Sequence, residues 1–265
     1  MGFNQRPQPL AGFSATTLKG IKAVFFDIDD TFSTDGKIEA EAYSALWRLH
    51  ELKLLIIPVT GRPAGWCDFI ARMWPVTAVV GENGAFSAQM KGGRLKKTYL
   101  ESASVRVANA HKLKKLSLRL KRAFPQAHWA SDQAFREFDL AIDYCEDVKP
   151  WKDSEVERLL DFCHRAGAQA KLSSIHVNAW YGRYDKWSCV KKILKAYGLK
   201  DLNQVVYLGD SPNDEPFFER LPLTVGVANV EKFLARMTYG PTYIAPSAGG
   251  AGFAEFVSNL VASHY

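Results

Sequence analysis

Short apolar runs alternate with amphipathic segments over residues 21–84. The apolar runs occupy residues 23–26, 54–59 and 77–80. Between the first two runs, apolar side chains recur at helical spacing over residues 38–52. Between the second and third runs, capping and proline signals predict a second helix that ends near Met73. Short continuous apolar runs are typical of strands that helices cover on both faces. The order therefore predicts a parallel β-α-β-α-β unit with right-handed crossovers.

The same alternation returns near the C-terminal end of the chain. Apolar runs at 204–208, 223–227 and 242–245 alternate with helical patterns at 186–197, from 230 and from 253. We therefore predict an α/β fold with a doubly wound, mainly parallel sheet, built from residues 21–84 and 183–265. Residues 85–182 show a hairpin turn and mixed helical and alternating patterns, so we interpret them as an inserted α+β domain. Residues 1–20 show neither pattern, and we predict a flexible N-terminal arm.

Composition excludes several classes of protein. With 47% hydrophobic and 23% charged residues among 265, the chain is typical of a folded globular protein. Because no apolar stretch approaches ~18 residues and the N-terminus lacks the apolar core of a signal peptide, we expect a cytoplasmic protein with no membrane partner. The four cysteines form no CxxC pair, which argues against a zinc site and against a disulfide scaffold.

The net charge of +6 is concentrated between Lys91 and Arg122. Leucines are interleaved with the basic residues at 111–122, so this segment is typical of an amphipathic helix with a solvated basic face. A nucleic-acid surface is the alternative, but no aromatic platform accompanies the charges. We expect no nucleic-acid partner, and an anionic small substrate explains the charge equally well.

Three carboxylates follow the first apolar run, at Asp27, Asp29 and Asp30. A strand interior does not hold unpaired charges, so they lie at the carboxyl end of the strand, where α/β sheets form ligand crevices. A divalent cation would relieve the repulsion between Asp27 and Asp29, and carboxylate oxygens suit Mg²⁺. A capped strand end, with Asp30 and Thr31 as turn residues, is the structural alternative.

Polar clusters also follow the other predicted strands. They are Thr60-Gly61-Arg62 and Asp210/Asn213/Asp214, and Lys186 opens a predicted helix, while the strand at 77–80 ends in the Gly-rich turn Gly81-Glu82-Asn83-Gly84. Together these clusters contain a nucleophile, a proton donor, cation ligands and positive charge, which are the requirements of phosphoryl transfer from a monoester. Lys186 alone would be interpreted as a surface lysine.

These clusters resemble the four motifs of the haloacid dehalogenase-like phosphohydrolases. The sequence Asp27-Ile28-Asp29-Asp30-Thr31 matches DxDx(T/V), Thr60 in TGR matches the second motif, Lys186 the third, and GDSPND at 209–214 the fourth. The long insertion and the ending AGGAGFAEFV resemble the Cof-type, sucrose-phosphatase and mannosyl-3-phosphoglycerate phosphatase branch. The match covers residues 20–262 and implies a Rossmann-like core with residues 85–182 as an α/β cap that sets substrate specificity.

The resemblance implies a role for each matching residue. Asp27 would be the nucleophile that forms an aspartyl-phosphate, Asp29 the general acid and base, and Thr60 and Lys186 would contact the phosphoryl oxygens. The implied Mg²⁺ site consists of Asp27, Asp29 through its backbone carbonyl, Asp210 and Asp214. The residues expected at the phosphate or the leaving group are Gly61, Arg62, Asn83, Asn213 and Arg183. His176, Asn178 and Trp180 are further cap candidates, for which packing is the alternative. Asp30 stands where this branch usually has glycine, and it receives no role.

We therefore expect a Mg²⁺-dependent phosphatase for a small phosphomonoester, with a sugar phosphate as the favoured substrate. Three alternatives stay open at this point. They are a phosphomutase of the same superfamily, a non-catalytic protein that binds a phosphorylated metabolite, and a polynucleotide phosphatase. The expected partner is a small phosphorylated metabolite, and the expected state is a monomer or a homodimer.

Overall fold

The structure is a computed structural model that describes residues 6–173 and 175–265. Its strands are β1 (Gln8–Pro9), β2 (Ala23–Phe26), β3 (Leu55–Pro58), β4 (Val79–Gly81), β5 (Phe86–Lys91), β6 (Arg94–Tyr99), β7 (His128–Trp129), β8 (Asp139–Asp143), β9 (Gln169–Leu172), β10 (His176–Trp180), β11 (Val205–Gly209), β12 (Leu223–Gly226) and β13 (Tyr243–Ile244). Its α-helices are α1 (Ala15–Lys19), α2 (Ala40–Glu51), α3 (Ala64–Met73), α4 (Ala103–Ala123), α5 (Asp153–Arg165), α6 (Lys186–Ala196), α7 (Glu215–Arg220) and α8 (Gly249–Ala262).

A parallel sheet forms the core, with the strand order β1-β13-β12-β11-β2-β3. Helices α2 and α8 cover one face, and α6 and α7 cover the other. Every residue of β2 and β11 is buried, which explains why these strands are continuous apolar runs in the sequence. The predicted doubly wound α/β fold is confirmed.

The inserted segment forms a second, antiparallel sheet with the order β7-β8-β10-β9. Helices α4 and α5 pack on this sheet through a separate apolar cluster. The hairpin β5–β6 does not belong to it, because β5 pairs with β4, which a parallel bridge between Val59 and Val80 connects to the core. The sheet of the cap therefore begins later than the predicted boundary at residue 85. That the cap sets specificity stays a prediction.

The described part of the N-terminal segment, residues 6–20, differs from the predicted flexible arm. Strand β1 pairs in parallel with β13 at the edge of the core sheet. The side chain of Phe13 is buried and stacks on Tyr243 with ring centroids 4.2 Å apart, and Leu10 and Leu18 are also buried. The segment thus packs on the core through Leu10, Phe13 and Leu18, which form no periodic pattern in the sequence. Residues 1–5 of the predicted arm lie outside the described residues.

Helix α8 begins at Gly249, four residues before the predicted start. A side chain at position 250 would place its Cβ 3.0 Å from the Cβ of Ala42 on α2, and a residue at 252 would collide with the carbonyl of Ser247. Gly250 therefore permits close packing on α2 and Gly252 a close approach of the preceding loop, whereas Gly249 adopts the left-handed conformation with φ of 52°. Within the described residues, no helix is both long and apolar enough to cross a bilayer.

Candidate active site

The carboxyl ends of β2, β3 and β11 meet at one edge of the core sheet. Phe26, the last residue of β2, is in register with Pro58 on one side and Leu208 on the other. The residues that follow these strands, among them Asp27 and Asp210, are consequently brought together. The structural basis of the predicted crevice is thus the sheet register.

Asp27 lies at the centre of this edge and contacts Lys186. Its Oδ2 atom is 3.0 Å from Lys186 Nζ, and its Oδ1 accepts a hydrogen bond of 2.9 Å from the backbone N–H of Ile28. Burial raises the pKa of Asp27 to about 8, and the ammonium of Lys186 opposes that rise. For Lys186, burial favours the neutral amine, but Asp214 and Asp27 outweigh it and hold the pKa above its usual range. The lysine therefore stays protonated beside the proposed nucleophile.

Asp27, Asp210 and Asp214 form a buried carboxylate cluster whose ligand atoms lie within 4.8 Å of one another. Burial and the two other carboxylates raise the pKa of Asp210 well above its usual range, while the hydroxyl of Thr31, which donates to its Oδ1 at 3.1 Å, acts in the opposite direction. Lys186 supplies one positive charge against these three carboxylates. A divalent cation with hard oxygen ligands fits the remaining negative charge. The residues present therefore fit Mg²⁺.

Asp214 differs from the other two members because its oxygens are already used. Its Oδ1 accepts from Lys186 Nζ at 3.0 Å and from the hydroxyl of Tyr207 at 2.5 Å, and its Oδ2 accepts from the backbone N–H groups of Asp210 and Ser211. A carboxylate has about four acceptor positions. Asp214 thus positions Lys186 and the loop, and its direct ligation of a metal is the weakest part of the predicted metal set.

The carboxylate of Asp29 lies outside this cluster and is held by Arg62. Arg62 Nε donates to both carboxylate oxygens, at 2.9 and 3.1 Å, and Nη2 lies 2.8 Å from Oδ1. The two predicted catalytic aspartates are therefore in different environments, one beside an ammonium and the carboxylate cluster, the other beside a guanidinium. That separation suits two different roles in acid–base chemistry.

Thr60 is completely buried at the end of β3. Its hydroxyl oxygen accepts a 2.9 Å hydrogen bond from the backbone N–H of Arg62, and its carbonyl accepts from the N–H of Asn83. A hydroxyl group whose oxygen accepts a hydrogen bond from the backbone can still donate its own O–H to another acceptor. This geometry is compatible with the predicted donation to a phosphoryl oxygen.

Arg62 also contacts the cap. Its Nη1 lies 3.3 Å from Asp132 and its Nη2 lies 2.9 Å from Glu146, both in the inserted segment. Glu146 lies 2.7 Å from the ring of His176 on β10, and this contact, together with Arg62, lowers the pKa of Glu146 to about 2. One guanidinium thus connects the predicted proton donor to two carboxylates of the cap.

Gly61 and Asn83 lie in the same contact between core and cap. The carbonyl of Gly61 accepts a 2.7 Å hydrogen bond from Arg136, and Asp139 Oδ2 accepts from the side-chain amides of Asn83 and Asn178, each at 3.2 Å. Asn178 thus donates within the cap, to an aspartate that also accepts from Asn83 of the core. The predicted contacts of Gly61 and Asn83 with a phosphate or leaving group stay predictions.

Asn213 and Arg183 lie on the Lys186 side of the site. Asn213 Oδ1 accepts a 3.1 Å hydrogen bond from Lys186 Nζ, so it contacts the predicted phosphate-binding lysine directly. Arg183 is exposed at a crevice of about 670 Å³ that is lined by both domains and reaches Lys186 and Asn83. Trp180 donates to the carbonyl of Tyr184 and packs in an apolar cluster, which favours the packing interpretation.

Sequence reasoning assigned no role to Glu82, which is completely buried. Its carboxylate accepts four backbone hydrogen bonds, from Ala64 at the start of α3 and from Glu137, Phe138 and Asp139 in the cap. Burial and Asp139 raise its pKa to about 8, against the effect of these N–H donors. In the sequence, only the position of Glu82 directly after a predicted strand, in Gly81-Glu82-Asn83-Gly84, indicated that it could lie near the site.

Asp30 adopts the left-handed backbone conformation, with φ of 55°. This conformation favours glycine and is tolerated by aspartate and asparagine, which explains why the related motif has glycine here. The carbonyl of Asp30 accepts a 2.8 Å hydrogen bond from Asn229, which also donates to Asp210 at 3.3 Å. Asp30 thus has a backbone role in the loop that carries Asp27 and Asp29.

Comparisons with known proteins agree with this geometry. A family profile described as haloacid dehalogenase-like hydrolase matches residues 24–135. A phosphoglycolate phosphatase from Methanobrevibacter smithii is 26% identical over 91% of this chain and 99% of its own length. A structure from Thermoplasma acidophilum has a TM-score of 0.69 at 18% identity, covering 91% of this chain and 98% of that one. The sucrose-phosphatase from Synechocystis, solved with sucrose and phosphate, has a TM-score of 0.64 at 16% identity, covering 91% and 98%.

The matched segment contains the loop with Asp27 and Asp29, the TGR segment and the start of the cap. The two solved structures align with this chain over nearly their full length, so they share its overall fold. The predicted resemblance is confirmed: this chain is similar to haloacid dehalogenase-like hydrolases over residues 24–135 and shares its fold with the solved structures of such proteins, a Cof-like hydrolase among them.

Proposed function

We propose that this protein is a Mg²⁺-dependent phosphatase that hydrolyses a small phosphomonoester through an aspartyl-phosphate on Asp27. The coarser prediction, a hydrolase of phosphoric esters, is confirmed by the family match and by the phosphatase relatives. The observation that carries the mechanism is the pairing of Asp27 with Lys186, next to an Asp29 that Arg62 holds apart. A cytoplasmic location and a monomeric or homodimeric state stay predictions.

We assign each step of the proposed reaction to a residue of the site. Asp27 Oδ2 attacks phosphorus, and Asp29, which enters this step protonated, gives its proton to the departing ester oxygen. The Asp29 carboxylate that results then takes a proton from the water that hydrolyses the acyl phosphate, which restores the acid for the next turnover. Lys186 and Thr60 stabilise the charge on the phosphoryl oxygens. Asp27 and Asp210, with the Asp29 carbonyl, would hold Mg²⁺, which supplies charge neutralisation and keeps Asp27 ionised.

The residues between core and cap favour a hydroxyl-rich leaving group over an acidic one. The cluster around Arg62 contains the carboxylates of Asp29, Asp132, Asp139 and Glu146 but only two guanidiniums, those of Arg62 and Arg136. Carboxylates accept hydrogen bonds from sugar hydroxyls and repel another carboxylate. We therefore favour a sugar phosphate, with phosphoglycolate, the substrate in the name of the M. smithii relative, as the second candidate.

The test is phosphate release from a panel that contains sugar phosphates and phosphoglycolate, with Mg²⁺ and with a chelator. We expect Mg²⁺-dependent release, no turnover by Asp27→Asn, and severe impairment of Asp29→Asn. Asp161→Asn, an exposed change on the cap helix α5, is the matched control and should behave as wild type. Turnover by Asp27→Asn near the wild-type rate would refute the nucleophile, and isomerised sugar phosphate without phosphate release would identify a mutase.

A further inference from the structure

A groove on the core domain ends at the residues that we assign to proton transfer. It has a volume of about 410 Å³ and lies between the turn at 33–38 and helix α3. Small-molecule sites enclose roughly 300–1,000 Å³ and are mostly apolar with a few polar groups at fixed positions. Its apolar walls are formed by Ile28, Ile38, Trp66, Phe69, Ile70 and Trp74.

The inner end of the groove is the ion pair between Asp29 and Arg62. These are the charged residues among the described ones that line it, and they pair with each other at 2.8 Å. Because Arg62 also pairs with Asp132 and Glu146, the groove has no free cation for an anionic group of a ligand. In the proposed reaction, the ester oxygen of the substrate that receives the proton of Asp29 lies at the inner end of the groove. The leaving-group atoms bonded to that oxygen therefore lie next to the groove.

Two of the aromatic walls, Trp66 and Trp74, pack against other side chains of the core domain. The guanidinium of Arg62 lies over the ring of Trp66, 4.6 Å from its centroid, and Trp74 packs against the buried Phe32 with centroids 5.2 Å apart. At the rim, Ile38, Trp66 and Phe69 nevertheless remain 41%, 44% and 57% exposed. Preformed, water-exposed aromatic surface is what an apolar ligand covers at low entropic cost.

We propose that this groove is a leaving-group subsite that binds an apolar, preferably aromatic, part of the phosphomonoester. The inference rests on the proposed function and refines its substrate class: the alcohol that leaves carries an apolar substituent in addition to its hydroxyl groups. The hydroxyl groups face the carboxylates between core and cap, and the substituent occupies the groove beside Asp29.

The test measures binding rather than turnover. Methylphosphonate and 2-naphthylphosphonate, which are not hydrolysed, are titrated calorimetrically into the full-length protein with Mg²⁺. Burial of the naphthyl ring should make the second ligand bind about tenfold more tightly. In Phe69→Ser the two dissociation constants should converge. Trp47→Ala, which removes another exposed aromatic side chain, on α2 and outside the groove, should keep the wild-type ratio.

Each other outcome contradicts the proposal in a distinct way. Equal binding of the two phosphonates, or a ratio that survives Phe69→Ser, refutes the subsite while phosphate release leaves the proposed function intact. A wild-type dimer that Phe69→Ser converts to a monomer in sedimentation would make the groove an interface between copies of this chain and overturn the proposal. Absence of both phosphonate binding and phosphate release would refute the proposed function, and the subsite with it.

Discussion

Arg62 offers the sharpest test of how this site works, because a lysine keeps its charge but cannot reproduce its contacts. The guanidinium uses three nitrogens to reach the carboxylates of Asp29, Asp132 and Glu146 at 2.8–3.3 Å. A lysine has one nitrogen at a shorter reach and can replace one of these contacts. Arg62→Lys should therefore release Asp29 from its fixed position without removing the positive charge.

The expected magnitudes follow from these contacts. Hydrogen bonds to charged groups contribute about 1.5–3 kcal/mol each, and two of the three partners are lost. Since Asp29 and Glu146 are partly exposed, water replaces some of that loss, and we expect the free energy of unfolding to fall by about 2–4 kcal/mol. For turnover of a sugar phosphate we expect kcat to fall about 10²-fold, because a misplaced general acid loses much of its contribution.

A comparison of two leaving groups separates proton transfer from phosphate binding. The alkoxide of a sugar phosphate needs the proton of Asp29, whereas 4-nitrophenolate leaves readily without one. Arg62→Lys should therefore lose about tenfold more activity on the sugar phosphate than on 4-nitrophenyl phosphate. Arg122→Lys, an exposed change in α4, is the control and should change neither rate. Equal losses on both substrates would refute the proposal that Arg62 positions Asp29, and would support direct binding of the phosphate by Arg62.

Three further changes test other parts of the structure. Lys186→Met leaves two buried carboxylates without their cation, so it should destabilise the fold by about 3–5 kcal/mol and abolish turnover, whereas Lys191→Met, exposed on the same helix, should do neither. Because the pKa of Glu146 is lowered in the folded protein, its contribution to stability is present above pH 4.5 and is lost as the pH falls towards 2. The difference in unfolding free energy between wild type and Glu146→Gln should therefore shrink over that range. A constant difference would contradict the ion pairs assigned to Glu146. Mg²⁺ should raise the melting temperature of the wild type but not that of Asp210→Asn, and an equal rise in both would refute the proposed ligand set.

The core of this protein could be predicted from its sequence because local patterns determine it. A continuous apolar run that ends in aspartates is one such pattern, since both the burial of β2 and the exposure of its end to a crevice follow from neighbouring residues. The four motifs then placed Asp27, Thr60, Lys186 and Asp210 at one sheet edge, where the structure has them.

The contacts between core and cap could not be predicted, because they depend on distances that no local pattern determines. Arg62 is separated from Asp132 and Glu146 by 70 and 84 positions, and Glu82 from the cap backbone by at least 55. The N-terminal segment was missed for a related reason: Phe13 is buried by Tyr243, far along the chain, rather than by a periodic pattern of its own. These side chains are thus buried by residues that are distant in the sequence, which no local pattern reveals.

In the proposed mechanism, the position of Arg62 also relates substrate selection to proton transfer. Because the same guanidinium holds Asp29 and the cap carboxylates, movement of the cap away from the core would remove two of its partners and loosen the third. We therefore expect the proton donor to be fixed in place when the cap covers the crevice, and water to be excluded at the same time. A substrate that fits the cap would then position the acid that cleaves it, whereas a phosphate ester too small to hold the cap closed would meet a poorly oriented Asp29. On this reasoning specificity appears in kcat as well as in KM, which binding by the cap alone would not require.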